Sequence, residues 1–129
     1  MKLLLDTNAY TALMAGQRDV ADRVRRAERI LVSAAVAGEL MFGFRHGTRY
    51  DRNVRELEDF LSNPYVEFLP VSYITAERFG RIAAELRRKG RPIPTNDIWI
   101  AAHAMESGAE LISADSHFDR IDGLVWTQV

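Results

Sequence analysis

Along the chain, short unbroken apolar runs alternate with longer stretches whose apolar residues recur at helical spacing. The first pattern suits strands buried on both faces, and the second suits helices that bury one stripe. Strands are expected at residues 2–5, 29–32, 66–69, 110–113 and, on a weaker pattern, 124–127. Helices are expected at 8–15 and 19–27, a pair broken at Gly16, and then at 35–46 with Ser33 as N-cap. Further helices follow at 50–61, ending before Asn63-Pro64, and at 73–89, stopped by Gly90. After the stiff segment Arg91-Pro92-Ile93-Pro94, the last helix starts at Thr95 or Asn96, either of which can cap it, and stops at Gly108. Alternating strands and helices predict an α/β fold, a mostly parallel sheet of about five strands with helices on both faces. Neither a repeat nor a linker interrupts this order, so residues 1–129 are expected to form one domain.

Composition narrows the class. Hydrophobic residues make up 47% and charged residues 27%, the balance of an ordinary globular domain. There is no cysteine, which excludes disulfides, thiolate catalysis and thiolate metal sites. The opening Met1-Lys2-Leu3-Leu4-Leu5 is cut by Asp6 and reads as a first strand rather than a signal peptide. No apolar run approaches the ~18 residues of a membrane span, and a cytoplasmic location is expected by default.

The formal charge is only −1, but 15 of the 17 basic residues are arginine and they are grouped: Arg23, Arg25, Arg26 and Arg29; Arg45, Arg49, Arg52 and Arg55; Arg87, Arg88, Lys89 and Arg91. Arginine grips phosphate through a planar fork, so such groups suit a nucleic-acid backbone, and they equally suit a solvated helix face. Arg45, Arg49 and Arg52 are the ones expected nearest any bound strand.

Among the 18 acidic residues, most sit on polar helix faces and four do not. Asp6 ends the apolar run Leu3-Leu4-Leu5, at the strand edge where open α/β sheets bind ligands, although it could equally cap the next helix. Glu39 shares the apolar helix stripe of Val36, Leu40, Gly43 and Phe44, where an ionised carboxylate needs a cation, a metal or hydrogen-bond donors. Asp97 lies in a first helical turn, on the face of the small residues Ala101 and Ala104. Asp115 follows Leu111-Ile112-Ser113 at a second strand end, and Asp119 beyond it is a weaker candidate that also fits a turn.

A parallel sheet brings these strand ends to one edge. Carboxylates gathered there repel each other by on the order of 4 kcal/mol per pair at ~4 Å and an effective dielectric of about 20. A divalent cation removes that cost. All-oxygen donors suit Mg²⁺ or Mn²⁺, while the lack of cysteine and three scattered histidines, His46, His103 and His117, speak against zinc. The histidines match no ligand spacing and read as structural or surface residues. The chemistry natural to such a site is phosphodiester hydrolysis, with one ion or two.

Four segments carry a family resemblance: Leu4-Leu5-Asp6-Thr7-Asn8, Ser33-Ala34-Ala35-Val36-Ala37-Gly38-Glu39-Leu40, Asn96-Asp97-Ile98-Trp99-Ile100-Ala101-Ala102-His103-Ala104 and Leu111-Ile112-Ser113-Ala114-Asp115-Ser116-His117-Phe118-Asp119. In this order they resemble the PIN-domain nucleases, and among them the VapC-like ribonuclease toxins of bacterial type II toxin–antitoxin pairs. The resemblance implies a PIN-like three-layer α/β/α fold and a Mg²⁺-dependent endoribonuclease, with Mn²⁺ able to substitute. It further implies that Asp6, Glu39, Asp97 and Asp115 are catalytic or metal-binding, with Asp119 an occasional participant and Thr7, Asn8 and Ser113 as polar support. The implied partners are an RNA substrate (tRNA, rRNA or mRNA), a second copy of the chain, and a small VapB-like antitoxin that often places an arginine near the carboxylates.

Two other classes remain in view. A phosphotransferase using Asp6 as nucleophile is disfavoured because Asn8 stands where the common pattern has a second aspartate. A non-enzymatic metal- or protein-binding module would retain the acidic pocket for structure alone.

Overall fold

In the computed structural model, which describes residues 1–129, five strands form one sheet: β1 (Lys2–Leu5), β2 (Arg29–Ser33), β3 (Val66–Leu69), β4 (Glu110–Ser113) and β5 (Trp126–Gln128). Their order is β3-β2-β1-β4-β5, and every neighbouring pair is parallel. Six helices connect them: α1 (Thr7–Met14), α2 (Arg18–Arg26), α3 (Ala34–His46), α4 (Tyr50–Leu61), α5 (Tyr73–Lys89) and α6 (Thr95–Ser107).

Side chains alternate across a strand, so each apolar run feeds two cores. Leu3, Leu5, Ile30, Val32 and Ile112 face one side, where Ala9 of α1 and Val20 of α2 cover them. Leu4, Leu31 and Leu111 face the other, under Val36 and Leu40 of α3, Leu57 of α4, Ile82 and Leu86 of α5, and Ala101 and Ala104 of α6. The result is the three-layer α/β/α arrangement that the alternation predicts. None of the helices is long and apolar enough to cross a membrane.

Element ends depart from the sequence reading for local reasons. Asp6 caps α1 by accepting from Ala9 N at 2.8 Å, so that helix starts at Thr7 rather than 8 and ends at Met14. Likewise α2 is Arg18–Arg26, not 19–27, because Gln17 caps it. Ser33 caps α3 as expected, through a hydrogen bond from Ala35 N. The last helix follows Pro94, and neither Thr95 nor Asn96 is its cap. Gly90 and Gly108 end α5 and α6 at φ 67° and 68°, a left-handed conformation that suits glycine. The fifth strand is Trp126–Gln128 rather than 124–127, since its pairing with β4 begins at Trp126 and Leu111. A 3₁₀ turn at Ser116–Arg120, not expected from the sequence, follows β4.

The strand order reverses direction at β1. The chain moves outward to β2 and β3, then returns to place β4 on the other side of β1. The crevice above the carboxyl ends of β1 and β4 is therefore the topological switch point, the place where open α/β sheets bind ligands.

Candidate active site

A cleft of about 690 Å³ opens at that switch point. Asp6, Thr7, Asn8, Ala35, Gly38, Glu39, Pro94, Asn96, Asp97 and Asp115 lie among its lining residues, so all four main candidate carboxylates share one cavity. Asp119 is exposed on the 3₁₀ turn and lies outside the lining.

Asp6, Glu39 and Asp115 are held by neutral donors. Asp6 is only 6% exposed; its Oδ1 takes the Ala9 N–H and its Oδ2 takes the Ser113 hydroxyl. One oxygen of Asp6 thus caps α1, one of the two alternatives left by the sequence, while the other is tied to Ser113 of β4. Ser113 Oγ in turn accepts the Asp115 N–H at 2.9 Å, tying the two strand ends together. Glu39 receives the Thr7 hydroxyl on Oε1 and the Asn96 amide on Oε2 at 3.3 Å. Asp115 accepts from His117 N at 2.9 Å, which starts the 3₁₀ turn.

None of the four has a lysine or arginine within ion-pair distance. Burial raises the Asp6 pKa, and the charges of Asp115 and Glu39 add to this against the opposing hydrogen bonds from Ser113 and Ala9. Asp97 is pushed up to about 6, first by burial and then by Asp115, with His117 acting in the other direction. Both shifts come first from burial, and neighbouring carboxylates add to them.

The histidines do not all fit their sequence reading. His46 is exposed beside Phe42 at the end of α3. His103 is fully buried and joins elements: its Nε2 lies 3.1 Å from the Pro70 carbonyl, and its Nδ1 lies 2.7 Å from Ser33 Oγ. A carbonyl can only accept, so Nε2 carries the proton and Nδ1 accepts from Ser33. This locks the start of α3, which carries Glu39, to α6, which carries Asp97. His117 belongs at the site, contrary to the surface or structural reading: its Nδ1 is 3.0 Å from Asp115 Oδ1 and 3.6 Å from Asp97 Oδ2. Asp97, Asp115 and His117 present donor atoms all within 4.8 Å of one another, a group able to hold a metal ion. Spacing could not reveal it, because Asp97 and His117 meet only through the fold.

The expected basic neighbours lie elsewhere. Arg45 stacks over Tyr50, 4.4 Å from the ring centroid, and neither it nor Arg49 nor Arg52 lines the cleft. Trp99 stacks on Phe79 at 4.1 Å, and Trp126 packs at the core edge near Phe118. Met41 and Phe44 pack on the core, whereas Phe42 is 69% exposed at the rim of the cleft.

The family model of the PIN domain matches residues 3–124. The chain belongs to the PIN domain family. This PIN domain is 33% identical over 131 residues to ribonuclease VapC1 of Haemophilus influenzae (strain R2866), covering 98% of the chain and 96% of that protein. It is 29% identical over 127 residues to the tRNA(fMet)-specific endonuclease VapC of Shigella flexneri, covering 96% and 95%. It also superposes on a chain of VapBC-1 from nontypeable Haemophilus influenzae with a TM-score of 0.87 at 32% identity, covering 99% and 98%. The PIN domain's cleft thus sits in a chain that is VapC-like over its whole length.

Proposed function

We propose that residues 1–129 form a single PIN nuclease domain, a metal-dependent endoribonuclease toxin of the VapC kind that acts on RNA in the cytoplasm. The observation that carries this reading is the convergence of Asp6, Glu39, Asp97 and Asp115 on one cleft with no lysine or arginine paired to them. The VapC relatives supply the substrate class.

The donor set suits Mg²⁺ or Mn²⁺, since carboxylate oxygens dominate it. Asp6, Glu39, Asp97 and Asp115 are the residues that would hold the cation. When bound, it would supply the positive charge that acidifies an attacking water and offsets charge building on the phosphorus oxygens. The chain's own contribution is positioning. Ser113 and Ala9 N fix Asp6, while Thr7 and Asn96 fix Glu39, so neither carboxylate must reorganise as charge develops. Asn8, exposed at the cleft mouth, is placed to meet the substrate backbone.

The active form is proposed to be a homodimer, or a complex in which a VapB-like antitoxin covers the cleft. The negative cleft suits an inhibitor that offers a cation such as arginine.

The test is to incubate purified protein with total RNA, with and without Mn²⁺, beside the Asp6→Asn protein, and to map new 5′ and 3′ ends. Cleavage is expected only with metal and only from the wild type. Full cleavage by Asp6→Asn, or cleavage untouched by EDTA, would sink the reading. A folded protein that cleaves no RNA and gains no stability from Mn²⁺ would favour a non-enzymatic module.

A further inference from the structure

His117 has a feature that the carboxylate picture leaves unexplained. Its ring is partly exposed, yet the Nδ1 atom is shielded from water and makes no hydrogen bond. It lies 3.0 Å from Asp115 Oδ1 and 3.6 Å from Asp97 Oδ2, close to both and aligned with neither. Between two carboxylate oxygens that nitrogen is completed either by a proton of its own or by a cation that the three groups share. The spacing suits the cation. Two donors that bind one ion at about 2.1 Å in adjacent octahedral positions stand about 3.0 Å apart, and donors on opposite sides stand about 4.2 Å apart. The pairs Asp115–His117 and Asp97–His117 fall within that range, and the three donor atoms together span no more than 4.8 Å. The backbone supports the same placement. Asp115 accepts the His117 N–H and so starts the 3₁₀ turn that swings the imidazole back over the acids.

We propose that His117 is itself a metal donor through Nδ1, and that with Asp97 and Asp115 it makes the cleft prefer a first-row transition ion to Mg²⁺. Mg²⁺ is a hard ion that holds to oxygen ligands, whereas imidazole nitrogen suits the first-row series better. The inference rests on the metal-dependent reading of the cleft and adds a nitrogen ligand to it, so the ion expected from oxygen chemistry alone is not the one the site favours.

The experiment uses Mn²⁺ as the probe and reads the ligand directly. Pulsed EPR of Mn²⁺ bound to the full chain should show a ¹⁴N coupling, which becomes a ¹⁵N coupling in protein grown with ¹⁵N-histidine. That labelling needs no substitution and keeps the test valid if a variant misfolds. His117→Gln should remove the coupling and weaken Mn²⁺ binding by roughly 10- to 100-fold. The same variant should alter Mg²⁺ binding by less than about 3-fold, and His46→Gln should leave the coupling intact. Mn²⁺ binding at full strength without nitrogen coupling overturns the proposal and leaves the acidic metal site standing. A coupling that survives His117→Gln also overturns it. A wild type that binds no Mn²⁺ overturns both the proposal and the metal-dependent nuclease reading.

Discussion

On the outer faces of α2 and α5, acids have cations a turn away: Arg23 pairs with Asp19, Arg81 with Glu77, and Lys89 with Glu85 and with Asp122 beyond the helix. At the β1/β4 edge the acids have hydroxyls, an amide and backbone N–H groups instead. Neutral donors orient a carboxylate without cancelling its charge. The outer acids are therefore finished by their own helix, and the cleft acids are completed only by something brought from outside. The same residue type thus serves solubility in one region and leaves an unmet electrostatic demand in the other.

The sharpest way to break this contrast is at Asp6. Asp6→Asn should lower RNA cleavage by on the order of 10³-fold, about 4 kcal/mol of transition-state stabilisation, with an unchanged far-UV circular dichroism spectrum. A variant that loses its helical signal would instead make Asp6 a structural cap.

Next comes the stability of the EDTA-treated protein. The Asp97 carboxyl titrates near 6 in the fold against an ordinary 3.8, so burying it is harmless while it is protonated in both states, below about pH 4. Between about pH 4 and 6 the unfolded chain gives up this proton while the folded one keeps it, so stability falls over that window by up to on the order of 3 kcal/mol and no further above it. Metal-free Asp97→Asn should therefore be more stable than the wild type at pH 7.5 by denaturant unfolding, with the gap closing by pH 4. Equal pH slopes for the two proteins would mean that Asp97 ionises freely.

A smaller effect is expected at the support for Asp6. Ser113→Ala should weaken Mn²⁺ binding by roughly 10- to 100-fold in calorimetric titration while the fold persists. Smallest of all is Glu77→Ala on α5, where loss of the exposed pair with Arg81 should change stability by less than about 1 kcal/mol and leave cleavage rates unaltered. A large loss there would erase the distinction between the two regions.

Much of this was legible in the sequence because it depends on local pattern. Leu3-Leu4-Leu5 and Ile30-Leu31-Val32 could only be strands buried on both faces, and a parallel sheet then had to bring Asp6 and Asp115 to one edge. What stayed hidden depends on pairing between distant segments. The run Leu124-Val125-Trp126 does not say which of its residues meets Leu111, and Val125 proves to be 62% exposed. Whether Asp6 caps the next helix was open in the sequence, and the structure shows that one oxygen does so while the other reaches Ser113. His117 was passed over because its second acid, Asp97, stands on another element; no ligand spacing exists along the chain to betray it.

The hydrogen bond from Ser113 to Asp6 joins residues 107 positions apart. In synthesis β1 leaves the ribosome among the first segments and β4 among the last. Until β4 slots in beside β1, Asp6 lacks its hydroxyl donor, and Asp115 and His117 are not yet at the cleft. A chain still being made that ends between α6 and β4 carries Asp6, Glu39 and Asp97 but lacks Ser113, Asp115 and His117. The site is therefore a product of the closed sheet, and β4, among the last segments laid down, is the strand that completes it.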